Sequence, residues 1–189
     1  EAWRSDLPEL PSAKRHRYAD ALGLSQYDAR VLTDERSMAQ YFETVVAAGA
    51  DAKLSANWIT GDIAAYVNSN RLNFVELAFR PEQLAEMVKL IDGGKISGKI
   101  AKEILPELLE KGGSPKAIVD ERGLGMISDP AAITAIVEEL LAAHPDEVEA
   151  FRGGKNKLQG FFVGQLMKKT GGKADPKLAN QILSQKLKG

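Results

Sequence analysis

Two stretches of this 189-residue chain carry residue types at spacings that could do chemistry. The first, "GGKISGK", sets Gly93, Gly98 and Lys99 in the pattern G-x-x-x-x-G-K. In a phosphate-cradling loop that pattern wraps backbone amides and one lysine around a nucleotide's phosphates. Such a loop follows a strand and continues with Ser or Thr to hold magnesium. Here a helical period comes first and Ile100 follows Lys99. A helix stop at Gly93-Gly94 and a helix cap at Ser97 account for every residue, so the nucleotide-loop reading is set aside.

The second stretch is "GGKNKLQGFFVGQLMKKTGGKADP", Gly153 to Pro176. It has a helical period from about Lys155 to Thr170, yet it contains Gly160 and Gly164, each about 1 kcal/mol worse than alanine in a helix interior. At 100° per residue from Lys157, Gly160 falls at about 300°, Gly164 at about 340° and Lys168 at about 20°, while Phe162 and Leu166 fall at about 140° and 180°. The glycines therefore smooth the face opposite the apolar one, with a lysine at each end. Two readings are open. The glycines let a neighbouring helix approach closely, or they admit a sugar-phosphate backbone while Lys157 and Lys168 contact phosphates. Lys155, Lys169 and Lys173, with Lys177, Lys186 and Lys188 beyond, favour the second reading, because helix packing needs none of them. Phe161 is the one aromatic placed for base stacking. The pattern thus suits a folded RNA met by shape and phosphate contacts, not a stacked single strand.

Other candidates are weak. His16 and His144 lack a second ligand at metal-binding spacing. Glu103, Glu107 and Glu110 recur along one helix and could move protons, but Lys99 and Lys111 supply i,i+4 partners, as on a solvated face. No Gly-x-Ser-x-Gly turn marks a nucleophile, and Ser25, Ser55, Ser97 and Ser114 stand where helices need caps. No nucleophile–base pair is legible.

These residues must be positioned by helices. Apolar stripes at helical spacing run through Met38–Val46, Trp58–Val67, Leu84–Ile91, Ile100–Leu109, Ile133–Leu141 and Leu178–Leu187. Lys14 to Ala21 also reads as a helix, ended by Gly23. Pro81, Pro115, Pro130, Pro145 and Pro176 open helices at first-turn positions, and Pro106 should bend or restart one. "RLNFVELAF", Arg71 to Phe79, comes nearest to a strand. The expected fold is all-α, in two helical domains: a helical bundle over 14–121, a glycine-containing connector and candidate hinge over 122–128, and a smaller helical tail over 129–189. Residues 1–13, punctuated by Pro8 and Pro11, read as an extended lead-in.

Composition sets the outer bounds. A 44% hydrophobic chain can build a core. The absence of cysteine removes disulfides and thiolate chemistry and fits a reducing compartment. No apolar run nears the roughly 20 residues of a membrane span. The start at Glu1, with neither an initiator Met nor an apolar leader, suggests a piece of a longer chain. The net charge of −1 hides an asymmetry: from Gly153 onward there are eight lysines and one acid, Asp175. A basic end on an acidic chain points to a polyanionic partner, although a solvated tail would read the same way.

Five blocks, in order, carry a family resemblance: "RSDLPELPSAKRHRY", "NWITGDIAAYVN", "GKISGKIAKEIL", "GLGMISD" and "KLQGFFVGQLMKKTGGKADPKLANQIL". The chain resembles, over nearly its whole length, the helical and tail domains of the B subunit of the tRNA-dependent amidotransferase, and the tail's stand-alone YqeY relatives. The resemblance implies a parent complex that amidates Glu-tRNA(Gln), and often Asp-tRNA(Asn), using ATP, magnesium and ammonia released from glutamine. Its amidase (A) and small (C) subunits are the implied protein partners, through the parent chain. Activation and amide transfer belong to a preceding cradle domain, whose end residues 1–13 would be and whose catalytic and metal-binding residues have no counterpart here. This part would therefore be non-catalytic and hold no cofactor or metal. It would bind tRNA, not DNA or membrane, in the cytoplasm or an organellar interior. The motif match falls on Lys157, Gly160, Gly164, Gln165, Lys168, Lys173 and Pro176. The expected tRNA-contacting set is Lys155, Lys157, Gly160, Gly164, Lys168, Lys169 and Lys173. Asp175 departs from the family's usual Asn, and its charge beside Lys173 and Lys177 should weaken a local phosphate contact. A helical scaffold docking the amidase subunit or the cradle is the alternative.

Overall fold

The structure is a computed structural model that describes residues 9–188. It is all-α, as the periodicity requires. The described residues contain no strand, only an isolated parallel bridge between Ile127 and Ala174. The chain packs as two units. One runs to Asp92 and includes Lys102–Ile118; the other joins Gly93–Ala101 to the chain from Val119 onward. The sequence reading keeps 93–101 inside 14–121 and sets 122–128 apart. In the structure both stretches are built into the second unit.

The first unit opens with α1, Pro11–Leu22. Its helix begins three residues earlier than the sequence reading, because the fixed φ of Pro11 suits a first helical position. Residues 11–13 are therefore helical, not lead-in, and residues 1–8 of that lead-in lie outside the described residues. Gly23, at φ +65°, ends α1 in the left-handed region. Then come α2 (Gln26–Asp34), α3 (Arg36–Ala47), α4 (Ala52–Trp58), α5 (Ala64–Asn70), α6 (Pro81–Asp92), α7 (Gly98–Lys111) and α8 (Pro115–Glu121). The first four residues of α7 belong to the second unit, and α8 also crosses the division. Pro106 neither ends nor restarts α7.

Local chemistry sets these boundaries. Ser25 caps α2, accepting from the Asp28 amide at 3.0 Å. Asp51, not Ser55, caps α4, accepting from the Leu54 amide at 2.8 Å. Ser55 lies one turn inside, fully buried, and donates to the Asp51 carbonyl. Between α4 and α5 the backbone widens into a π turn over Ile59–Ile63, where Gly61 leaves helical geometry. Arg71–Phe79 forms no strand; an Asn73–Glu76 capping box folds it into a 3₁₀ turn at Phe74–Glu76.

Tyr18, Phe42, Ile59, Phe79, Leu84 and Leu108 are fully buried in this unit. Tyr18 and Phe42 meet edge-on at 5.0 Å, and the Tyr41 hydroxyl donates to the Phe79 carbonyl at 2.8 Å.

On the rim of this core, Glu43 accepts from Lys14 at 2.7 Å and from Arg17, which also pairs with Glu9. Partial burial pushes the Glu43 carboxyl up, but these two cations outweigh it and hold the group below the usual carboxylate value of 4.5. A depressed carboxylate stabilises the fold above its unfolded value, and that contribution is lost as pH falls through the folded one. Urea midpoints should therefore decline below about pH 4.5, and Glu43→Gln should flatten that decline. An unchanged acid limb in the variant would show that Glu43 does not drive it. At the other extreme, burial raises Tyr18 and Tyr41 above the ordinary tyrosine value of 10.0. The unfolded chain ionises first, so stability falls as pH climbs past that value.

The second unit's helices are α9 (Pro130–Ala143), α10 (Pro145–Arg152), α11 (Leu158–Lys169) and α12 (Pro176–Lys188). Asp129 caps α9 through the Ala131 amide. Each of these helices packs on the others, round Ile133, Val137, Phe162, Leu166, Leu183 and Leu187.

Candidate nucleic-acid interface

Helix α11 carries the glycine–lysine face. It begins at Leu158, later than the period suggests, with Lys157 in the cap position at near-helical angles. The angular relation of Lys157 to the glycines therefore approximately survives. Phe162 and Leu166 are fully buried, so the helix is held by that side. On the other side Gly160 and Gly164 are exposed, and a Cβ built on either would meet nothing within 4 Å. Of the two readings open in the sequence, close helix packing finds no support among the described residues.

Lys155, Lys157 and Lys168 are exposed and make no ion pair among the described residues. The other two lysines of the expected set already have partners. Lys169 forms an ion pair with Glu139 of α9, and Lys173 donates to the Gly123 carbonyl at 2.8 Å. Lys168 and Lys169 also sit in the last turn, where the helix dipole favours cations. Lys157 stands at the opposite, positive end, where it receives no such help.

Phe161 is half-buried. Its ring meets His144 edge-on at 5.3 Å and Phe162 at 5.4 Å, so it takes part in the packing of this unit. Past α11, Gly171 (φ +61°) and Gly172 (φ +80°) reverse the chain in left-handed geometry. The expected connector is tied to the segment between α11 and α12. The Ile127 amide donates to the Lys173 carbonyl at 2.7 Å, and the Asp175 amide donates to the Ile127 carbonyl at 3.1 Å. Asp175 itself caps α12, accepting from the Lys177 and Leu178 amides at 2.8 and 3.1 Å. Asn and Asp cap equally well, so the departure from the family's usual Asn has a structural account. The sequence reading missed this role, although an acid directly before a first-turn proline was its signal.

Gly93-Gly94 ends α6, and Ser97 caps α7 by accepting from the Ile100 amide at 3.3 Å. Among the described residues no group of His, Asp and Glu could hold a metal ion. No described helix is long and apolar enough to cross a membrane.

The described residues define an all-α protein with an open cationic helix face on α11. The chain belongs to the GatB domain family, whose model matches residues 40–187. It is 90% identical over its full length to the B subunit of the aspartyl/glutamyl-tRNA(Asn/Gln) amidotransferase of Parasynechococcus marenigrum (strain WH8102). It is 89% identical to the B subunit of the same description from Synechococcus sp. (strain CC9902), and 72% to that from Synechococcus elongatus. The chain spans 38% of the length of each of these relatives. The family implied by the five sequence blocks is the family found.

Proposed function

We propose that this chain is the C-terminal, tRNA-holding part of the B subunit of an aspartyl/glutamyl-tRNA(Asn/Gln) amidotransferase. In this reading it grips the tRNA body while amidation proceeds elsewhere in the parent complex, among the rest of its own subunit and the A and C subunits. ATP and magnesium belong to that other part. The 93–99 stretch does not fit them, because it is a helix-to-helix turn and Ile100 stands where a magnesium-holding Ser or Thr would follow Lys99.

The observation that carries the RNA-holding role is the open face of α11, with Lys157 and Lys168 at its two ends. Gly160 and Gly164 weaken the helix and relieve no contact in the fold, so their use lies outside it. A sugar-phosphate backbone needs that low relief, and the two ammonium groups supply its counter-charge. Binding of a tRNA transcript, titrated at several ionic strengths, should weaken as salt rises. Lys157→Ala and Lys168→Ala should each lower the slope of log K against log salt by about 0.9. Gly160→Ala and Gly164→Ala should each stabilise the fold, by up to about 1 kcal/mol, while weakening tRNA binding. Unaltered affinity and slope in all four variants would remove the assignment.

One observation favours the scaffold reading for the first unit. Leu10, Tyr27 and Val75, large apolar residues left exposed, all lie there. Capture of the A subunit by the full chain without RNA would support it. It would not conflict with RNA binding by the second unit.

A further inference from the structure

The lysine of the discarded nucleotide loop lies beside the far end of the α11 face. Ser97, Lys99, Met167, Lys168, Gly171 and Gly172 line one open recess of about 470 Å3, and no acidic residue is among them. All six belong to the second unit. The Lys99 side chain lies along the glycine turn: a Cβ placed on Gly172 would be 3.9 Å from its Nζ and its Cδ.

Glu103, the i,i+4 partner that the sequence offers Lys99, forms no ion pair with it among the described residues. Lys99 is exposed and makes no ion pair among the described residues. It occupies the first turn of α7, which contains no acid, and a helix's positive end disfavours a cation. Two lysines from distant parts of the sequence thus line one recess without a counter-charge, an arrangement that an anion relieves. The turn's amides are not free to bind it. Gly171 donates to the Lys168 carbonyl and Gly172 to the Met167 carbonyl. The donors are therefore the two ammonium groups, and the glycines supply a floor without side chains.

We propose that Lys99 and Lys168, over the Gly171–Gly172 turn, seat one phosphate of the RNA backbone, extending the α11 face to the start of α7. This rests on the RNA-holding reading above and adds a contact that reading lacked. An RNA phosphate is favoured over a free anion because the recess is open and because Lys168 belongs to both surfaces.

The test titrates the full chain with an unmodified tRNA transcript at several salt concentrations. Lys99→Ala should weaken binding about three- to tenfold and lower the salt slope by about 0.9. Because one phosphate is shared, Lys99→Ala with Lys168→Ala should lose less than the two single losses combined. Lys53→Ala, at an exposed lysine of the first unit, should leave both quantities unchanged. If Lys99→Ala binds as the parent does while Lys157→Ala is weakened, the seat is overturned and the RNA-holding reading stands. If Lys53→Ala loses as much as Lys99→Ala, the effect is one of overall charge and the seat is again overturned. If the parent chain shows no salt-dependent binding at all, both readings fall together.

Discussion

Gly112→Ala should destabilise the first unit by well over about 2 kcal/mol, from two separable causes. Gly112 ends α7 at φ +70°, where an L side chain costs about 1 kcal/mol or more. In addition, a Cβ there would lie 2.6 Å from the Ala78 carbonyl oxygen and 3.3 Å from its carbon. Those are backbone atoms, so relief requires moving the segment before α6 and not merely turning a side chain. Gly23 isolates the first cause. Its φ is +65°, almost the same, yet a Cβ on it would meet nothing within 4 Å. Gly23→Ala should therefore show only the dihedral cost, about 1–2 kcal/mol. Urea denaturation of both variants measures the difference directly. Equal losses would mean that the approach to Ala78 yields cheaply, and that the contact does not constrain the end of α7.

Phe162→Ala should be still more damaging, at about 3–5 kcal/mol. The ring is fully buried among Ile133, Val137, Leu166, Leu183 and Leu187, from three different helices. Its loss leaves a cavity those helices cannot close together. A whole domain is commonly stable by only about 5–15 kcal/mol, so amides in α9, α11 and α12 should lose most of their hydrogen-exchange protection. Phe161 provides the comparison. It is half-buried and rests on His144 and Phe162, so Phe161→Ala should cost clearly less. If the two substitutions proved equivalent, the orientation of α11 would be misassigned, and the outward glycine face with it. Any loss of tRNA binding in Phe162→Ala would follow from unfolding, which is why the exposed lysines are the cleaner probes of function.

Much of this was legible in the residues, for local reasons. A helix's buried side follows from apolar spacing alone, so α3, α6, α9 and α12 stand where their stripes put them. Caps at Ser25, Ser97, Ser114 and Asp129 form because a side-chain oxygen satisfies an amide within three residues. The outward glycine face followed from 3.6-residue periodicity against Phe162 and Leu166. The family followed from five ordered blocks.

Other features depended on which segments meet. Asp51 and Ser55 are both competent caps by type, and the burial of Ser55 decided between them. The π turn at Ile59–Ile63 has no pattern of its own beyond Gly61. Residues 93–101 read as an ordinary helix junction, and only packing assigns them to the second unit beside a turn some 70 residues later. Five lysines looked like one cationic set in sequence. Tertiary structure divided them, giving Lys169 to Glu139 and Lys173 to the Gly123 carbonyl while leaving Lys155, Lys157 and Lys168 open to solvent. The sequence alone determined the helices, their buried faces and the excess of lysine near its end, because periodicity and capping act within a few residues. Which lysines keep a free charge was decided only by the tertiary structure, because a partner such as Glu139 or the Gly123 carbonyl is supplied by chain that is distant until the fold closes.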